Sequence, residues 1–108
     1  MEYQKIDDLR KFIIRVGTVL SAEKIEGSEK LLKLMIDFGD EQRQILSGIA
    51  KYFQPEELIG KQLPVVINLE PRKMMGLESQ GMILCAGNEE NLALLHPSKS
   101  LPNGSHVS

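Results

Sequence analysis

The sequence predicts an all-β chain: a five-stranded antiparallel barrel, with a short helix before it and a short helical link between strands 3 and 4. Three observations carry this. Apolar residues recur with period two in the stretches 12–20, 31–38 and 63–69. Turn-forming groups separate them, Gly39-Asp40-Glu41 and Gly87-Asn88-Glu89-Glu90-Asn91 being the plainest. Helix-like stretches are short and confined to the start of the chain and to residues 48–60.

The elements follow in order. Residues 1–11 hold a short helix of mostly polar composition. Strand 1 runs over 12–20, with Phe12, Ile14, Val16, Thr18 and Leu20 on one apolar face. Gly17 within it predicts a bulge or bend, as a strongly coiled sheet requires. Leu32, Leu34, Ile36 and Phe38 form the inner face of strand 2, so Lys33, Met35 and Asp37 point outward. Strand 3, residues 42–47, closes a hairpin with it. Residues 48–53 read as one helical turn and 54–60 as another. The second has Pro55 at its first position, Glu56 and Glu57 at the positive end of its dipole, and Gly60 as terminator. Strand 4 spans 63–69, with Pro64 better suited to a start or an edge. Residues 70–81 read as a loop, 82–86 as a buried strand, and 92–95 as a last short strand. The tail 97–108 contains a Pro102-Asn103-Gly104 turn. Five antiparallel strands with a helix between the third and fourth are the layout of the OB-fold.

Composition bounds the rest. The chain has 108 residues, 42% of them hydrophobic, which fits one domain over 1–108. A chain of this size hides roughly 65% of its unfolded surface. One cysteine excludes an internal disulfide. Without a signal-peptide core, or an apolar run near the roughly 20 residues that span a bilayer, the expected location is the cytoplasm, with no membrane partner. The net charge of −2 argues against nucleic acid, since such domains commonly have a pI above about 9.

Catalytic chemistry finds no footing. His96 and His106 have no Cys or His close by in sequence, so no metal is expected. Cys85 lies in an apolar run with no local base and reads as a small buried hydrophobe. Phosphate-loop and dinucleotide-binding glycine patterns are missing, so no cofactor is expected. No nucleophile elbow surrounds Ser47, and no carboxylate pair stands out. The expectation is a non-enzymatic chain. What remains is the 71–82 stretch, with Arg72, Lys73, Met74, Met75, Ser79 and Gln80. Read from its residues alone, it is either a solvated loop whose methionines cover a barrel end, or a phosphate-contacting loop.

That stretch, together with Ile14-Arg15-Val16-Gly17-Thr18-Val19, 28–34 and 44–61, resembles the tRNA-binding OB domain of methionyl-tRNA synthetase C-termini. The same domain occurs in standalone dimeric tRNA-binding proteins and in the endothelial monocyte-activating polypeptide II group. The resemblance covers about 7–108. It implies shape-based tRNA binding without much sequence preference, by a homodimer built partly from C-terminal dimerisation elements. A methionyl-tRNA synthetase catalytic domain is a further implied partner. The implied tRNA-binding residues are Lys33, Arg43, Lys51, Asn68, Arg72, Lys73, Ser79 and Gln80. The family often has a basic residue where this chain has Met75. CsaA-type secretion chaperones are similar as well, through Ile6-Asp7-Asp8 and Pro102-Asn103-Gly104, and imply peptide binding in an apolar groove instead. Under the tRNA reading the charge of −2 requires the outward cations Lys33, Arg43, Lys51, Arg72 and Lys73 to gather on one face.

Overall fold

The computed structural model describes residues 1–108. A one-turn helix, α1 (Ile6–Leu9), leads into β1 (Ile14–Lys24), β2 (Leu32–Asp37) and β3 (Gln42–Ser47). A second one-turn helix, α2 (Pro55–Leu58), precedes β4 (Gln62–Val66). Then come β5 (Arg72–Met74), β6 (Leu77–Ser79), β7 (Met82–Ile83), β8 (Cys85–Gly87), β9 (Leu92–Leu94) and β10 (His106–Val107). The main sheet has the order β3-β2-β1-β4-β7, all antiparallel, and curls into a nearly closed OB-like barrel.

β1 is the spine, and it explains the curl. Its first half pairs with β4 and its second half with β2, the register slipping between Val19 and Ser21. The bulge therefore falls at Leu20 rather than at Gly17. A bulge bends and twists its strand, which lets one strand serve both sides of a barrel. Gly17 has a different task. A Cβ there would stand 2.5 Å from Ile36 Cγ2 and 2.8 Å from Phe38 Cε1, so the bare backbone makes room for the core.

The register also reverses the expected faces of β1. Val19 pairs with Ile36 and Gly17 with Leu63, so the odd positions face the core. The even face, expected to be buried as a unit, is the outer one. There Val16 is covered, in a groove with Pro64, Leu101 and Val107, while Phe12 and Leu20 are exposed. The tail does the covering. Thr18 Oγ1 donates to Asn103 Oδ1 at 2.6 Å, Gly104 N–H to the Val16 carbonyl at 2.7 Å, and β10 pairs with Ile14 and Arg15.

The core cluster joins Val19, Leu32, Leu34, Ile36, Phe38, Ile45, Leu63, Val65 and Ile83 from the strands with Ile49 and Leu58 from the link. Each of these aliphatic side chains contributes about 1.5–3 kcal/mol of burial. Leu58 is delivered by α2, whose Gln54–Glu57 capping box satisfies N-terminal backbone groups. Residues 48–53 form a turn closed by Tyr52 and Phe53 N–H on the Ile49 carbonyl, not a helix. The 70–81 loop is largely a hairpin, β5–β6, and the 82–86 strand is split between β7 and β8.

Candidate nucleic-acid interface

The hairpin β5–β6 begins with its turn. Met75 (φ 53°) and Gly76 (φ 76°) both occupy the left-handed region, the two-residue turn whose twist suits antiparallel strands. The register pairs Arg72 with Ser79, Lys73 with Glu78 and Met74 with Leu77. Met75 extends sideways to the β1–β2 loop, where a Cβ on Gly27 would lie 3.3 Å from its terminal methyl. Two connections far apart in sequence thus meet beside the β2–β3 sheet.

The hairpin is locked to the free edge of β3. Gln80 N–H donates to the Gln44 carbonyl at 2.8 Å, and Gln44 N–H reaches Gln80 Oε1 at 3.2 Å. The Gln44 side chain donates to the Glu78 carbonyl at 2.9 Å. Leu46 N–H donates to Ser79 Oγ at 3.0 Å, and that hydroxyl donates to the Gly81 carbonyl at 3.1 Å. An open edge strand would otherwise expose these groups. Under the hairpin, Leu46, Leu69, Met74 and Met82 help to line a narrow cleft of about 50 Å³, with Arg72 at its side.

The opposite problem, closing the barrel end beneath Phe38, is solved by charge. Arg15 and Arg43 rise from inward-facing positions, paired with Val65 and Ile36 respectively. Glu41 lies between them, 2.6 Å from Arg43 Nε and 3.8 Å from Arg15 Nη1. Arg43 also donates to the carbonyls of Ile67 and Gln80, and Arg15 to those of Gly104 and Phe38.

The eight candidate side chains therefore separate. Arg72, Lys73 and Lys51 are exposed and make no ion pair within 4.0 Å. Gln80 is exposed; its oxygen is engaged in the seam and its amide nitrogen points to no protein acceptor. Lys33 does face outward, but its ammonium is 2.7 Å from Glu23 Oε1, its cross-strand partner. The other three are engaged within the protein. Ser79 is 3% exposed, and its hydroxyl is spent on Leu46 and Gly81. Arg43 points into the barrel end rather than outward, because its strand partner is the core residue Ile36. Asn68 ties β1 to the end of strand 4, accepting from Ile13 N–H and donating to the Lys11 carbonyl, both at 2.7 Å. The expected segregation of cations holds only in part, since Glu23 and Glu41 neutralise two of the five. One basic residue was missed. Ala50 N–H bonds the Lys30 carbonyl at 3.0 Å, which puts Lys30 and Lys51 on adjoining loops. The order Ser28-Glu29-Lys30 contains no hint of that. The single resolved titration effect lies away from this face, where burial pushes the Cys85 thiol up.

Comparison with known proteins gives this face a context. A family model described as "Putative tRNA binding domain" matches residues 14–106. The chain is 52% identical over 108 residues to a methionine–tRNA ligase of Caldanaerobacter subterraneus subsp. tengcongensis, covering 100% of this chain and 17% of the ligase. It is 54% identical over 102 residues to that of Archaeoglobus fulgidus, covering 94% of this chain and 16% of the ligase. The chain thus spans about a sixth of the length of these curated relatives. Among solved structures it is similar to a MetRS-related protein from Pyrococcus horikoshii, with a TM-score of 0.95, 44% identity and 100% of both chains covered. It is also similar to the chaperone CsaA of Bacillus anthracis str. Ames, with a TM-score of 0.90, 32% identity, and 99% of this chain and 100% of that one covered.

Proposed function

Because the chain belongs to the tRNA-binding domain family found in methionine–tRNA ligases and related proteins, we propose that it binds tRNA by backbone shape, through the β5–β6 hairpin and the loops around it. The domain is a non-catalytic module. One observation carries the reading: Arg72 and Lys73 stand unpaired on a hairpin held by four hydrogen bonds between residues 44–46 and 78–80. Fixed cations reach phosphates at little entropic cost, and phosphate contacts position a ligand without reading its sequence. Lys51 and the Gln80 amide extend the surface. Lys33 joins it if tRNA phosphate displaces Glu23. Ser79, Asn68 and Arg43 support the surface from behind.

The working unit is proposed to be a homodimer. Ile6, Leu9, Phe12 and Val107 are all exposed and line one groove of about 570 Å³ between α1 and β10. Covering such a face with a second copy would remove contiguous apolar area from water. A methionyl-tRNA synthetase catalytic domain is the proposed larger partner, to which the module would add tRNA affinity through avidity. The cytoplasm is the proposed setting, and no helix is long and apolar enough to cross a membrane.

Filter binding of mixed tRNA over a salt series tests the assignment. Arg72→Ala/Lys73→Ala is expected to flatten the salt slope by about 1.4–1.8, at roughly 0.7–0.9 per phosphate contact. An unchanged affinity and slope would remove the hairpin from the interface. The likeness to the chaperone CsaA favours a second reading, binding of unfolded peptides on the same fold. Binding of an unfolded polypeptide with no tRNA affinity would select it.

A further inference from the structure

We propose a second phosphate-binding site at the end of β4 remote from the hairpin, in the cleft between Lys61 and Lys99. The cleft has a volume of about 240 Å³ and is formed where Gly60, Lys61 and Gln62 meet the 96–100 loop. Its charge is one-sided. Lys61, His96 and Lys99 line it, and no carboxylate does. Arg10, Lys11, Arg15, Lys33 and Arg43 all have acidic partners within 4.0 Å, whereas Lys61 and Lys99 have none. Glu57 lines the adjoining groove with Lys61 and His96. Its carboxylate is engaged by the Gln54 N–H at 3.1 Å in the α2 capping box. Two ammonium groups with no ion pair within 4.0 Å around one small cleft, in a chain of net charge −2, make a local anion trap.

The cleft is also held in shape. The Gln62 amide behaves like a short strand partner to the tail, donating to the Leu101 carbonyl at 2.7 Å and accepting Leu101 N–H at 3.0 Å. It bonds Asn103 Oδ1 as well, at 3.1 Å. His96 Nδ1 lies 3.0 Å from the Gln62 carbonyl. A carbonyl can only accept, so Nδ1 carries the hydrogen and the ring is tied to the Gln62 backbone. The Ser100 hydroxyl adds a neutral donor, and Gly60 leaves its side of the cleft open. A phosphate, whose non-bridging oxygens accept hydrogen bonds and carry one negative charge in an RNA backbone and up to about two when free, matches this donor set.

The phosphate has two sources, the backbone of bound RNA or free inorganic phosphate. The RNA source rests on the proposed tRNA binding and extends it. Gln62 to Val66 span about 13 Å at the rise of a strand, and the hairpin lies beyond the far end. A folded RNA is long enough to touch both places.

Two measurements on the whole chain separate the possibilities, comparing wild type with Lys61→Gln/Lys99→Gln. In the first, tRNA is titrated over a salt series, and the variant is expected to lose about 1.4–1.8 from the slope. In the second, inorganic phosphate is titrated while the His96 ring protons are followed by NMR. A saturable shift in wild type that vanishes in the variant is expected. A phosphate response without a change in tRNA slope keeps the site and assigns it to free phosphate. Wild-type protein that binds no tRNA overturns the function proposed above, and the phosphate titration then decides the cleft by itself. An unchanged tRNA slope with no saturable His96 response overturns the cleft.

Discussion

The Ser79 hydroxyl accepts the backbone N–H of Leu46 at 3.0 Å across 33 residues of chain, inside the barrel wall. This bond determines where the hairpin sits, because Ser79 pairs with Arg72 and Leu46 pairs with Lys33. Replacing Ser79 by Ala leaves a buried N–H unpartnered. The expected cost is about 1–3 kcal/mol, a fall in Tm of roughly 4–8 °C per kcal/mol in a chain this size. Thermal unfolding measures it. A loss under about 0.3 kcal/mol would mean that the seam does not depend on this hydroxyl.

Arg43 and Arg72 should part company under mutation. Arg43→Ala removes the partner of Glu41 and of two carbonyls, so it should lower the urea midpoint, by about 2–3 kcal/mol of stability. Arg43→Lys should recover little, because one ammonium cannot reproduce a fork shared by three acceptors. Arg72→Ala is exposed and should leave stability within about 0.5 kcal/mol while weakening tRNA binding. The reverse pattern would exchange their roles.

Glu23→Gln should strengthen tRNA binding. It frees the Lys33 ammonium now held at 2.7 Å, and a surface pair of this kind costs at most about 1 kcal/mol to lose. The salt slope should steepen by up to about 0.9. A slope identical to wild type would place Lys33 outside the interface.

Gly17→Ala should disrupt the barrel. The added methyl would overlap Ile36 and Phe38, both fully buried, and overpacking of this sort costs about 1–3 kcal/mol. Denaturant unfolding gives the value. A neutral result would show that the β1–β2 crossing has slack.

The inner face of strand 2 was legible because its other side carries the charges of Lys33 and Asp37. Strand 1 was not, since its outer face lies under the tail and is apolar too. Alternation reveals two faces and does not tell which one meets the core. Arg43 was misread for a related reason: Ile45 and Leu46 are adjacent and both apolar, so strand 3 has no clear inner side in sequence. The hairpin escaped detection because three-residue strands hold too few alternations, and Met75-Gly76 is a weak form of a turn that prefers Asn-Gly. Arg72 and Lys73 were legible as exposed cations. The Lys61–Lys99 cleft had no sequence signal, being assembled from residues 38 positions apart.

The tail strand β10 lies on Ile14 and Arg15, and Arg15 Nε donates to the Gly104 carbonyl at 3.0 Å. During synthesis on the ribosome, the first strand of the barrel therefore waits for a partner made some ninety residues later. At about 5–20 residues per second that delay is roughly 5–20 s, long compared with the milliseconds to seconds of barrel closure. Until then the outer side of β1 is an unpaired, partly apolar edge. The nascent chain is most vulnerable to mispairing in that interval, and His106 and Val107 are the residues that end it.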